Sequence, residues 1–171
     1  IPLAMTSVTV HLSKTSFVHA HFHFIMGVFA AFTMFAGVYY WFPKMTGRYA
    51  NETWGKIGFW LNSIGVHVTF WPLFIIGVAG MPRRYYDYQM FPEFEPYHQF
   101  ATVGACLVAI GMSITVINWI SSAISGEKAP ENPWKSASLE WTHCPSPPGP
   151  GNFPEDVTVS AEWHPYDYTK K

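Results

Sequence analysis

No charged residue stands between Lys14 and Lys44, and the stretch is apolar almost throughout. About 20 such residues are enough to cross a bilayer core as a helix. Two further uncharged runs follow, one from Ile57 to Pro82 and one between Glu95 and Glu127 with its core from Phe100 to Ile124. Backbone amides find no water inside hydrocarbon, so runs of this length are expected to be helices that close their own hydrogen bonds. The first run ends in Tyr39-Tyr40-Trp41-Phe42-Pro43-Lys44, an aromatic belt and a lysine of the kind found at a membrane–water boundary. The expected fold is all-α and integral to a membrane, with three transmembrane helices. Composition agrees, since 12% of residues are charged where a soluble domain carries about 25%. A net charge of −1 gives no case for nucleic acid as a partner. Cys106 and Cys144 make no disulfide framework and read as packing residues.

Histidines inside a spanning segment are expensive and default to a functional reading. The first run contains two, in Ala20-His21-Phe22-His23-Phe24. Each helical residue turns about 100°, so positions i and i+2 point about 200° apart with about 3 Å of axial offset. One helix therefore presents imidazoles to two opposite sides. They cannot chelate one ion together, but they can hold two separate centres with Phe22 between them. A neutral imidazole with a free nitrogen is a good ligand for iron or copper. Opposite-face projection suits two haems flanking one helix. His19 shares a face with His23 at i,i+4 and reads as a structural or water-linked group; His67, in the second run, reads as a hydrogen-bonding group.

The predicted order is an entry segment (1–14), a transmembrane helix bearing the two histidines (15–42), a polar loop (43–56), a second helix (57–82), a charged aromatic loop (83–98), a third helix (99–125) and a tail (126–171). Pro72 is tolerable in the second span because neighbouring helices or Thr69 can satisfy the freed backbone group, with a kink expected near Trp71-Pro72. Gly104, Ala105, Gly111 and Ser113 offer small surfaces for close helix approach on the third. Asn51-Glu52-Thr53 matches a glycosylation sequon formally, but so short a loop argues against that use. The tail holds eight of the fourteen prolines and reads as extended chain draped on partners rather than folded alone. The opening Ile1-Pro2-Leu3 has no basic region and no initiator methionine, which suggests processing or an upstream part on separate or missing polypeptide.

Loop 43–56 carries Lys44, Arg48 and Lys56 against Glu52, whereas loop 83–98 sets Arg83 and Arg84 against three acids. Short loops rich in lysine and arginine stay inside. That places the first loop and the tail on the inner side, and the entry segment and second loop on the outer side. Arg83-Arg84 read either as an interfacial anchor pair or as a pair of guanidinium forks that recognise carboxylates. Alternation of sides puts them near the start of the first span, where His21 and His23 lie. Haem propionates on that side would be within their reach.

At this point a family resemblance enters. Ala20-His21-Phe22-His23, Trp41-Phe42-Pro43, Asn51-Glu52-Thr53-Trp54 and Gly80-Met81-Pro82-Arg83-Arg84 together resemble the last quarter of subunit I of the haem–copper terminal oxidases. Ser138-Leu139-Glu140-Trp141, Pro145-Ser146-Pro147-Pro148 and Asn152-Phe153 are similar to the tail of the same subunit, so the resemblance covers nearly the whole chain. It implies that the three spans are the tenth to twelfth helices of a twelve-helix bundle, followed by an extended Pro-rich tail. It implies a catalytic, iron-binding role for His21 as proximal ligand of the high-spin haem, opposite a copper ion held by another chain. His23 would be an axial ligand of the low-spin haem, Phe22 would lie on the short route between the two, and Arg83 and Arg84 would hold the propionates. The haem type, a, b or o, does not follow from the histidines.

The implied activity is reduction of dioxygen to water in an energy-transducing membrane, bacterial cytoplasmic or mitochondrial inner, coupled to proton translocation. The implied partners are an N-terminal part of subunit I on another chain, oxidase subunits II and III, cytochrome c or quinol as electron donor, and the lipid bilayer. Three helices cannot enclose two haems, so the chain is not expected to turn over alone. One departure stands out. Ser13-Lys14 occupy the place of the family's His-Asp pair, and Thr9 that of an aspartate. A protonated lysine is no metal ligand, which puts the family's magnesium or manganese site in question; its ammonium could take the cation's place or meet a propionate. Two rival functions follow, a haem-free structural or assembly subunit descended from such a fragment, and a nitric oxide reductase-type electron-transfer subunit.

Overall fold

The computed structural model describes residues 2–151, 153, 157–158 and 163–165, and among these it is helical with no strands. A short helix α1 (Thr6–Leu12) leads to α2 (Ser16–Ile25), which passes through a π-helical turn, Met26–Ala31, into α3 (Phe32–Thr46). Then come α4 (Glu52–Val78), α5 (Glu95–Ser125) and a single turn α6 (Leu139–Thr142). Three stretches, Ser16–Thr46, Glu52–Val78 and Pro92–Ser125, are long and apolar enough to cross a membrane. The protein is an all-α, multi-pass membrane protein. The chain divides into two compact units, Ile1–Met34 with Lys56–Thr115, and Phe35–Gly55 with Val116–Lys171.

In the first unit, Thr15 caps α2: its backbone is extended and its hydroxyl accepts the Phe17 N–H at 3.3 Å. At the other end of this layer α4 stops at Val78 through a glycine cap. Gly80 takes the left-handed conformation (φ +98°), Met81 N–H bonds the Ile76 carbonyl at 2.9 Å and Gly80 N–H that of Gly77 at 3.3 Å. Met81 and Ile76 are fully buried and join Ala20, Leu73 and Ala101 in one core, flanked by Phe70, Phe74, Phe91 and Phe94. The chain leaving the cap runs alongside the start of α2. Ser16 N–H donates to the Met81 carbonyl and Arg83 N–H to the Lys14 carbonyl, both at 2.9 Å. The span read as ending at Pro82 thus ends at Val78, and the four residues after it form the turn that places the arginines.

Helices α4 and α5 pack antiparallel in this unit. Gly58 meets Thr115, Asn62 meets Gly111, Gly65 meets Val108, and Thr69 meets Gly104. Both rows step by four, three and four residues, the spacing of a seam between helices about 20° apart. Gly104 and Gly111 do serve close approach, whereas Ala105 and Ser113 are exposed on other faces. The Thr69 hydroxyl bonds the Gly65 carbonyl at 2.7 Å, so it is not spent on Val68, the carbonyl that Pro72 frees.

In the second unit α3 continues one turn beyond the aromatic belt. Pro43 lies inside the helix, fully buried, and the helix ends at Gly47, whose φ is +68°. Asn51 is used as the cap of α4: its Oδ1 accepts the Trp54 N–H at 3.1 Å, its N–H donates to Ser122 Oγ and its carbonyl accepts Asn118 Nδ2. The tail folds onto its own chain here, rather than depending on partners for every contact. Trp141 is 2% exposed; its indole N–H donates to the Tyr40 hydroxyl at 3.0 Å. Trp134 stacks on Tyr40 and donates to its carbonyl. Lys44 is 7% exposed, its Nζ donating to the Cys144 carbonyl at 2.7 Å and standing 4.7 Å over the Trp141 ring. Asn152, part of the tail motif, lies outside the described residues.

Candidate functional site

An open pocket of about 620 Å3 in the first unit is lined by His19, Phe22, His23, Leu73, Arg83, Arg84 and Tyr85, together with Ser16 and Val18. Of the residues singled out in the sequence it gathers four: Phe22, His23, Arg83 and Arg84. His21 is half-buried and does not line it. That separation is what a 200° turn between neighbouring-but-one residues requires.

His23 is held in one orientation. Its Nδ1–H donates to the His19 carbonyl one turn earlier at 3.0 Å. Its ring stacks on Phe70 with centroids 5.4 Å apart and planes 18° apart, and also approaches the His19 ring at 4.2 Å. Committing Nδ1 to a carbonyl leaves the Nε2 lone pair free, which is how metal-binding histidines have their tautomer set. Phe22 is 58% exposed and meets the His23 ring edge-on at 5.5 Å.

The arginines are placed by backbone. Arg83 is held by its N–H on Lys14 and by its Nη1 on the Ser13 carbonyl at 3.3 Å. Ser13 and Lys14 therefore serve the site through their carbonyls, which any residue type could supply. Arg84 adopts φ +62°, a strained conformation for a side-chain-bearing residue and of the sort that gathers at binding sites. Tyr85 follows in the same pocket; burial pushes its phenol above the usual 10.0. Neither His19 nor Tyr85 was assigned to the site from sequence. Adjacency to the His-x-His and Arg-Arg motifs was the available signal.

The donor set suits a large planar anion that carries a metal. A free imidazole nitrogen could ligate the metal, two guanidiniums could answer carboxylates, and Phe22 and Leu73 give apolar wall. These residues fit a haem. His67 is engaged elsewhere, its Nδ1–H on the Ser63 carbonyl at 2.7 Å and its ring against Phe24. Among the described residues no three histidine, cysteine or acidic side chains gather to hold a metal ion by themselves.

Comparison with known proteins gives the family. The family described as Cytochrome C and Quinol oxidase polypeptide I matches residues 1–107. Cytochrome c oxidase subunit 1 of Synechocystis sp. is 41% identical over 169 residues, covering 98% of this chain and 30% of that protein. The alternative cytochrome c oxidase subunit 1 of Bradyrhizobium diazoefficiens is 36% identical over 166 residues, 95% of this chain and 28% of its own length. The heme-copper oxidase subunit I+III of Aeropyrum pernix is 43% identical over 139 residues, 81% of this chain and 17% of its own length. The chain thus spans less than a third of the length of these curated relatives. With the motifs, the three spans and the matched residues in agreement, the chain belongs to the family of subunit I polypeptides of the cytochrome c and quinol oxidases.

Proposed function

We propose that this chain is the C-terminal part of a subunit I, probing two sides of one helix with His21 and His23 and so giving one axial ligand to each of two haems. The observation that carries the reading is the joint placement of His23, its Nδ1 anchored, with Arg83 and Arg84 in one pocket that His21 does not enter. His23 would hold the low-spin haem iron through Nε2, and Arg83 and Arg84 would neutralise its carboxylates. His21 would hold the high-spin haem iron on the other side. When bound, the haems move electrons one at a time and, with copper liganded by another chain, reduce dioxygen to water.

This chain's own part is positional. The backbone pairing of 14–16 with 81–83 keeps the guanidiniums over the start of the ligand-bearing helix. Phe22, between the two ligands in sequence and 58% exposed in this chain, would be the apolar group on the short route once the haems are in place. Assembly with the N-terminal part of subunit I, and with subunits II and III, in an energy-transducing membrane follows from the same reading, as does proton translocation by the whole complex. An electron donor, cytochrome c or quinol, would act on that complex.

The test is mutation in the assembled complex with haem quantified per copy of this chain. His21→Ala should abolish the carbon-monoxide-reactive high-spin absorption and spare the low-spin band, and His23→Ala should do the reverse. Survival of both bands in both variants, or no haem in the wild-type complex, sinks the assignment; the second result would favour a haem-free structural subunit.

A further inference from the structure

The His19 side chain has no part in the reading above, yet its ring lies against the proposed low-spin ligand. The centroids of His19 and His23 are 4.2 Å apart with planes 36° apart, while Phe70 stacks on His23 from α4 at 5.4 Å and 18°. His23 is therefore in contact with two other rings, one from its own helix and one from the neighbour. The hydrogen bond to the His19 carbonyl fixes one point on the ring, but one bond still lets the imidazole rock about its Cβ–Cγ axis, a torsion that is intrinsically broad. Contact with two further rings restricts that freedom.

We infer that His19 is a positioning residue: with Phe70 it sets the plane of the His23 imidazole, and so the orientation that His23 offers to a metal-bearing planar ligand in the pocket. The inference rests on His23 being the low-spin ligand. It assigns the His19 side chain a role through shape and stacking, separate from the role of its carbonyl, which any residue at position 19 retains. An aliphatic side chain there would keep the hydrogen bond and lose one of the two ring contacts. Outer-shell partners of this kind orient metal-ligating histidines, and their loss is felt in affinity and electronic properties. The i,i+4 spacing makes the contact possible, since side chains one turn apart lie on one face.

The test is made on the assembled complex, comparing wild type with His19→Ala, His19→Leu and His19→Phe. The readouts are haem content per copy, the low-spin absorption band and the electron paramagnetic resonance g values of the oxidised low-spin haem, which report the plane of an axial imidazole. The expected result is full haem content in all variants. The g values should shift beyond the wild-type linewidth in His19→Ala and His19→Leu, and return toward wild type in His19→Phe, which restores a flat ring. If His19→Ala does not assemble, His19→Leu carries the same comparison with its helix and bulk intact. Unchanged g values in the aliphatic variants overturn the inference while leaving His23 as ligand. Loss of one haem per copy in every His19 variant, including Phe, also overturns it, because His19 would then be a ligand itself. Absence of a low-spin signal in the wild type would instead sink the reading on which the inference stands.

Discussion

At the scale of single residues the site depends on which groups are held by backbone and which by side chain. Arg83 is anchored by its own N–H on Lys14, so its placement survives changes of residue type at 13 and 14. His23 is anchored by a carbonyl one turn away, again indifferent to side-chain identity at that position. Tyr85 is different, because partial burial is what acts on its phenol. Burial disfavours the phenolate, so the folded chain keeps this proton to a pH above the usual 10.0. Its contribution to stability is complete below pH 10.0 and is lost as pH rises through the folded value. An alkaline titration of tyrosinate absorbance, wild type minus Tyr85→Phe, should show its step above 10.0; a step at or below that pH refutes the assignment. His-x-His and Arg-Arg were legible in the sequence because charge and imidazole are conspicuous in an apolar run. The contact of His23 with both His19 and Phe70 was not, because Phe70 lies 47 positions further along the chain, on another helix.

At the scale of elements, the helices are placed by close approach rather than by side-chain interlocking alone. A Cβ added at Gly77 would overlap the Phe17 backbone, where α4 crosses the first turn of α2, and the neighbouring Ser16 N–H is bonded to Met81 in the turn that leads to the arginines. A Cβ at Gly27 meets nothing within 4 Å. Gly77→Ala should therefore destabilise the protein by about 1–3 kcal/mol or more, as overpacking does, whereas Gly27→Ala should stay within about 0.5 kcal/mol of wild type, as uncrowded substitutions do. Thermal melts of the two variants in one detergent decide it; equal losses would show that the α2–α4 approach is not tight. The sequence showed small residues on the third span but did not say which faced a helix. Gly104 and Gly111 do and Ala105 and Ser113 do not, and the complementary row on α4 was not singled out. Apolar residues on every face erase the amphipathic signal that marks a buried stripe in water-soluble helices.

For the molecule as a whole, what remains exposed is as telling as what is buried. Within the most apolar windows of the three spans, 6%, 39% and 22% of residues are buried, and the lowest share belongs to the span with both histidines. Lipid or other protein is the surrounding that such faces suit. The tail behaves otherwise. Lys44 reaches the Cys144 carbonyl and the Trp141 face from within the last turn of α3. Lys44→Met keeps most of the apolar stem and removes the charged donor, a hydrogen bond worth about 1.5–3 kcal/mol. Limited proteolysis of membranes should then cut between Trp134 and Cys144 several-fold faster than in wild type; an unchanged rate would show that the tail is held by other contacts.

The uncharged runs by themselves determined three helices and a membrane, because an unbroken apolar run of more than about 20 residues closes its own backbone hydrogen bonds in hydrocarbon as a helix, whereas barrel strands are about half that length. Helical periodicity by itself determined that His21 and His23 serve opposite sides. Only the tertiary structure decided where the spans stop, which glycines touch a neighbouring helix, and that the tail packs on α3. It alone decided that His23, and not His21, shares a pocket with Arg83 and Arg84. The physical reason is that these outcomes depend on contacts between distant parts of the chain, such as Arg83 N–H to the Lys14 carbonyl and Lys44 Nζ to the Cys144 carbonyl, whose acceptors are backbone groups that every sequence possesses.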